Sequence, residues 1–272
     1  MNQHRPDVRE YASGKMLAEV ADGAGIATFN QPEKRNAMSV EMWGGLASIL
    51  ETWHDDPAVR VVVLKGAGDK AFVSGADISQ FEKTRGDADA QREYDKLTST
   101  GRRHLASYPK PVIASIQGFC LGGGLGIATQ ADLRIAAEGN TFGIPAARLG
   151  IAYGFDMVRR LVSLVGHAHA RMMLFSGERI SAAEALRIGL VNRVVPGAEL
   201  DATVAGLARG IASNAPLSVQ GMKFIVEQVL RDPADRDMAA VDQAVATCFD
   251  SEDYREGRTA FMEKRKPAFR GG

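Results

Sequence analysis

Cysteine is almost missing from this chain, which has only Cys120 and Cys248 among 272 residues. The two lie far apart, in neither metal-ligand nor redox spacing, so a disulfide scaffold is excluded and a reducing compartment suits both as buried thiols. A surplus of either charge is missing too. Lys and Arg total 33, as do Asp and Glu. No global field therefore draws the protein to nucleic acid or to an anionic membrane, and an anionic ligand must be held by local groups. No stretch is apolar for long enough to span a bilayer, and residues 1–14 form a polar, mixed-charge leader without the apolar segment of a signal peptide. The expected location is the cytoplasm. Several signatures are also lacking: the glycine-rich segment has no G-x-G-x-x-G spacing, and there is no P-loop, G-x-S-x-G elbow or H-E-x-x-H pair.

What is present reads as an α/β core over 15–198 followed by a helical region over 199–272. Met16 to Val20 and Ile26 to Phe29 flank the turn-forming Asp22 to Gly25 and predict a hairpin. Ser39 is a candidate N-cap for a helix whose apolar stripe is Met42, Leu46, Ile49, Leu50 and Trp53. Val61 to Leu64 is a continuous β-branched run, as expected of a strand buried on both faces, and Val112 to Ile116 reads as another buried strand. Strand signals recur at Leu133 to Ala136 and Val191 to Val195, around helical sequence from about Phe155 to Ile188. Beyond Leu200 the pattern is wholly helical, with Pro216 placed as a first-turn residue.

Two loops carry the chemistry. The first is Ala71-Phe72-Val73-Ser74-Gly75-Ala76-Asp77-Ile78 and the second is Gly118-Phe119-Cys120-Leu121-Gly122-Gly123-Gly124-Leu125-Gly126. Each follows a buried strand and is expected to open a helix. Glycine lets a ligand approach the main chain, and a helix start points unpaired N–H donors at it, so the pair makes a cradle for an anion. A tight turn or close helix packing is the other reading of such glycines.

With Asn36-Ala37-Met38, Phe142-Gly143, Leu149-Gly150, Ser181-Ala182 and Gly189-Leu190-Val191, these loops resemble, in order and spacing, the crotonase (enoyl-CoA hydratase/isomerase) superfamily. The resemblance implies a spiral of β-β-α units, a C-terminal helical trimerisation region and assembly as a trimer or dimer of trimers. It also implies an acyl-CoA thioester substrate, with no cofactor beyond its CoA moiety and no metal. The oxyanion hole would be the backbone N–H groups of Ala76 and Gly123. Contacts with CoA would fall to Lys34, Arg35, Ala37, Ser74, Ala76, Asp77 and Ile78, and to Phe261 and Lys264 of a neighbouring copy.

The family's hydratases use two glutamates at positions that are Gly126 and Ala146 here. Without those acids the resemblance leans to the methylmalonyl-CoA decarboxylases, whose tyrosine corresponds to Tyr153, although their histidine is replaced by Ala76. Tyr153 is thus a candidate to orient a carboxylate or donate a proton, or else a packed aromatic. Asp156 is either the missing acid or a helix cap. Asp77 is either catalytic or the start of a capping box, Asp77-Ile78-Ser79-Gln80. His167 and His169 read as solvated. The alternatives to a lyase are a hydratase or isomerase with non-standard acid–base groups, a non-catalytic acyl-CoA binder, and a serine hydrolase built on Ser74.

Overall fold

The computed structural model describes residues 7–77 and 88–272. The polar leader contributes a strand, β1 (Arg9–Tyr11), which pairs antiparallel with β2 (Met16–Ala21), so structure begins earlier than the boundary expected at residue 15. The expected hairpin follows as β2 and β3 (Ala24–Phe29). Helix α1 (Val40–His54) begins where Ser39 Oγ accepts the Met42 N–H.

From there three units repeat one plan of long strand, short strand and helix. The first is β4 (Val61–Gly66), β5 (Ala71–Val73) and α2 (Ala88–Ala106); the second is β6 (Val112–Ile116), β7 (Phe119–Leu121) and α3 (Gly123–Gln130). The third is β8 (Leu133–Ala137), β9 (Thr141–Gly143) and α4 (Phe155–Ser176). Where continuous helix was expected up to Ile188, Gly177 ends α4 in the left-handed region at φ 61° and a strand, β10 (Arg179–Ser181), intervenes before α5 (Ala182–Arg187). Strand β11 (Arg193–Val195) starts two residues later than expected, because the Leu190 and Val191 amides bond back to the Ala185 carbonyl.

Seven strands form one sheet in the order β1-β2-β3-β4-β6-β8-β11, parallel from β3 onward. Short strands form a second sheet, β10-β9-β7-β5. In the large sheet the side chains alternate between two cores. Val62, Leu64, Val112, Ala114 and Ala136 face the main core with α1 and the second sheet, whereas Val61, Val63, Ile113, Ile135 and Ala137 face Leu200, Val204, Ala208 and Ala212. Burial of both faces explains the unbroken apolar runs.

Those four partners lie on α6 (Leu200–Ala212), so the first helix of the expected C-terminal region is a layer of the core. Helices α7 (Pro216–Val229), α8 (Met238–Asp250) and α9 (Glu252–Glu263) complete the chain. No helix among the described residues is long and apolar enough to cross a membrane.

Candidate active site

The site forms where the short sheet hands the chain over to α3. Gly122 precedes that helix at φ 53°, ψ −120°, a conformation closed to L side chains, and no side chain caps the helix start. Gly123 is the first helical residue, so its N–H has no intrahelical acceptor. Gly124 is required by packing: a Cβ there would stand 2.0 Å from the Val73 carbonyl oxygen. That contact draws α3 onto β5 and brings the Gly123 amide to the first loop.

On the first loop, Met38 and Ala76 form an isolated parallel bridge. The Met38 N–H donates to the Gly75 carbonyl at 2.8 Å and the Asp77 N–H to the Met38 carbonyl at 2.9 Å. Alternation along an extended segment then turns the Ala76 N–H away from Met38. Among the described residues neither the Ala76 nor the Gly123 N–H has an acceptor. A Cβ built on Gly123 would lie 3.7 Å from the Ala76 nitrogen, so both amides border one small gap. Ala76 and Gly123 are part-exposed among buried neighbours. Two convergent donors of this kind can stabilise charge developing on one oxygen.

Loop 31–39 supports the first loop from behind. Fully buried Asn36 donates through Nδ2 to the Ala71 carbonyl (2.7 Å) and the Ala67 carbonyl (3.0 Å), while its Oδ1 accepts the Gln31 N–H (2.9 Å). The Ser74 N–H donates to the Arg35 carbonyl, and the Ala37 N–H to the Lys34 carbonyl. Lys34 Nζ pairs with Asp77 Oδ2 at 2.8 Å, so the buried Asp77 carboxylate is balanced by a half-exposed cation. Arg35 lies over the Phe119 ring, 5.5 Å from its centroid, and has no acidic partner among the described residues. Ile78 and the Ser79-Gln80 half of the capping box lie outside the described residues.

Opposite the gap stands the segment before α4. Tyr153 is half-buried, and its hydroxyl lies 3.3 Å from the place a Cβ on Gly122 would take. Asp156 does not cap α4. Gly154 holds the N-cap with no side-chain hydrogen bond, and Asp156 sits exposed in the first turn, where its charge still suits the helix dipole. Met157 meets α3 at Gly126, its Sδ and Cε both 3.4 Å from a Cβ position there. The sequence offered no signal for Met157, because an apolar residue at helical spacing reads as core. Ala146 is buried, so neither position expected to carry a hydratase acid presents one.

Other candidates fall elsewhere. Ser74 Oγ is directed at the Lys34 carbonyl at 3.5 Å, and no described histidine is paired with it. His167 and His169 follow Gly166, where α4 breaks at φ 72°, and His167 is exposed. Phe261 is 83% exposed at the end of α9, and Lys264 ends that helix in the left-handed region at φ 53°. Cys120 is fully buried on β7, and desolvation pushes its thiol far up.

This arrangement is matched by known proteins. The enoyl-CoA hydratase/isomerase family model matches residues 19–272. The chain belongs to the enoyl-CoA hydratase/isomerase family. Among its relatives, the short-chain-enoyl-CoA hydratase of Clostridium acetobutylicum is 38% identical over 251 residues, covering 92% of this chain and 95% of that one. The crotonyl-CoA hydratase of Syntrophomonas wolfei is 37% identical, with 93% and 97% covered. A crystal structure described as an enoyl-CoA hydratase/carnithine racemase from Magnetospirillum magneticum superposes with a TM-score of 0.91 at 35% identity, covering 95% of this chain and 96% of that chain. Membership in this family accounts for the two-sheet spiral.

Proposed function

We propose that this enzyme holds an acyl-CoA thioester with its carbonyl oxygen between the Ala76 and Gly123 N–H groups and adds water reversibly to a 2-enoyl thioester. The observation that carries the reading is the pair of acceptor-less amides on one gap. As the thioester becomes an enolate its negative charge gathers on that oxygen, and each preorganised donor is worth about 3 to 4 kcal/mol. Hydration is supported by the names of the relatives, which shift the weight away from the decarboxylation that the sequence suggested. With glycine and alanine at 126 and 146, proton transfer falls to the groups that remain near the gap. The Tyr153 hydroxyl lies 3.3 Å from the place a Cβ on Gly122 would take, and Asp156 sits exposed in the first turn of α4.

A second reading rests on those same two positions. Decarboxylation of a malonyl-type thioester expels its own electrofuge and needs chiefly an enolate-stabilising site and a later proton, so it tolerates their lack of carboxylates. Parallel assays with crotonyl-CoA and methylmalonyl-CoA decide between the two. Faster loss of the enoyl thioester supports hydration, release of carbon dioxide without hydration supports decarboxylation, and tight thioester binding with neither reaction marks a non-catalytic acyl-CoA binder.

Arg35, which has no acidic partner among the described residues, is better placed than Lys34 to meet the CoA phosphates. Met222, Val226 and Val229 on α7, Phe249 on α8, and Phe261 and Met262 on α9 leave apolar surface exposed, which supports burial against further copies of the chain. Such an assembly, a trimer or dimer of trimers, would carry Phe261 and Lys264 to a neighbour's CoA site. Light scattering reads this directly, and a stable monomer at working concentration refutes it. The unpaired thiols of Cys120 and Cys248 support a cytoplasmic location.

A further inference from the structure

We infer that Met157 sets which acyl groups the site admits, an inference that rests on the thioester oxygen lying between Ala76 and Gly123. Gly126 is three residues beyond Gly123 on α3, on the same helix face and about 4.5 Å along the axis. The three heavy atoms nearest a Cβ position on Gly126 all belong to Met157, with Sδ and Cε at 3.4 Å. One side chain therefore bounds the space over that glycine. At the other end of the same turn the Tyr153 hydroxyl lies 3.3 Å from a Cβ position on Gly122. Tyr153 and Met157 are both half-buried and both pack against the main core, which fixes their positions relative to α3.

A thioester anchored by its oxygen at Gly123 must send its acyl carbons along this face, between the phenol and the thioether. The thioether neither takes nor gives a proton, so its contribution is volume and the exclusion of water. Methionine is unbranched and flexible, so it fills the space an acyl group leaves open and resists a longer one only through contact. Gly126 keeps that space available. In a helix interior glycine is weaker than alanine, yet a methyl group here would meet Met157 at contact distance and take up part of that space.

The test is calorimetry on the full chain with acetyl-CoA, butyryl-CoA, hexanoyl-CoA and CoA itself, which needs no turnover. One methylene of fit in an apolar pocket discriminates by about tenfold or more. Met157→Ala is expected to raise the affinity for hexanoyl-CoA relative to acetyl-CoA by at least about tenfold, leaving the affinity for CoA unchanged. Gly126→Ala is expected to shift the ratio the opposite way, and this second variant decides the matter alone should Met157→Ala fail to fold. An unchanged hexanoyl-to-acetyl ratio in a folded variant, with thioester binding intact, overturns the role of Met157 and leaves the oxyanion reading standing. No preference of the unaltered protein for any thioester over CoA overturns both.

Discussion

Gly123 and Gly124 are neighbours in sequence with different physical reasons for lacking a side chain, and substituting each separates catalysis from folding. At Gly123 the backbone lies outside the positive-φ region, and a Cβ meets only the Gly75 and Ala76 backbone at 3.7 to 4.0 Å, which is ordinary contact. Valine is therefore accommodated by the fold but projects into the gap where the thioester oxygen has to sit. Loss of one oxyanion contact costs about 3 to 4 kcal/mol, or roughly 10² to 10³ in kcat. Stability is expected to change by less than about 1 kcal/mol.

At Gly124 a Cβ lies 2.0 Å from the Val73 carbonyl oxygen and 2.7 Å from its carbon. A strand carbonyl cannot rotate aside as a flexible side chain would, so Gly124→Ala forces α3 away from β5. Overpacking of this kind costs about 1 to 3 kcal/mol or more, against about 1 kcal/mol regained from helix propensity. The assay pairs thermal unfolding with turnover of crotonyl-CoA, or of whichever thioester proves to be the substrate. Gly123→Val should melt near the unaltered protein and lose roughly 10² to 10³ in kcat, while Gly124→Ala should melt several degrees lower. A folded Gly123→Val variant with turnover within about threefold of the original refutes the assignment of the two amides.

Tyr153→Phe should lower kcat by about tenfold to a hundredfold with little change in thioester affinity, if its hydroxyl orients water or moves a proton; unchanged kcat in steady-state assays makes it a packed aromatic. Lys110→Met should destabilise the fold by about 2 kcal/mol in chemical denaturation, because the buried Lys110 ammonium donates to the Trp53 carbonyl (2.6 Å) and the Asp56 carbonyl (2.9 Å) at the end of α1. Stability equal to the original would show that these bonds merely offset the burial of the charge. The Glu256 carboxyl is held down to about 2 from an ordinary 4.5 by Arg265 first and the Ala268 N–H second. Its folded value is depressed, so its stabilising effect is full above about pH 4.5 and fades as pH falls toward 2. Unfolding curves of the original and Glu256→Gln should therefore differ at neutral pH and converge near pH 2; a gap that persists there contradicts the pairing.

Legibility of the fold tracked the length over which a pattern could repeat. The strands Val61–Gly66 and Val112–Ile116 and the Ser39-capped helix were readable because five or more residues express a period or an unbroken run. The short sheet was not, since Ala71–Val73, Phe119–Leu121, Thr141–Gly143 and Arg179–Ser181 have three residues each and three residues show no period. Its existence was implied only by the resemblance of the glycine-rich loops to a known spiral. Strand Arg9–Tyr11 escaped for a different reason, as an edge strand whose exposed residues look like polar leader. Helix Leu200–Ala212 was read as helix but not as core, because an apolar stripe does not say which surface it covers.

The candidate site divides along a similar line, between what the main chain does and what side chains do. Enolate stabilisation is assigned to amides held by packing that the fold itself needs: Gly124 against Val73, Asn36 bonded to Ala71, and Met38 bridged to Ala76. Removing any of these disturbs structure as well as chemistry. The choice of reaction is assigned instead to side chains at positions 126, 146, 153 and 157. Gly126 and Ala146 show that a chain can lack carboxylates there and still build both sheets and present both amides, since a missing carboxylate breaks no backbone hydrogen bond. On the proposed reading the donor is one of the groups beside the two amides, and the Tyr153 hydroxyl, 3.3 Å from the place a Cβ on Gly122 would take, stands beside them.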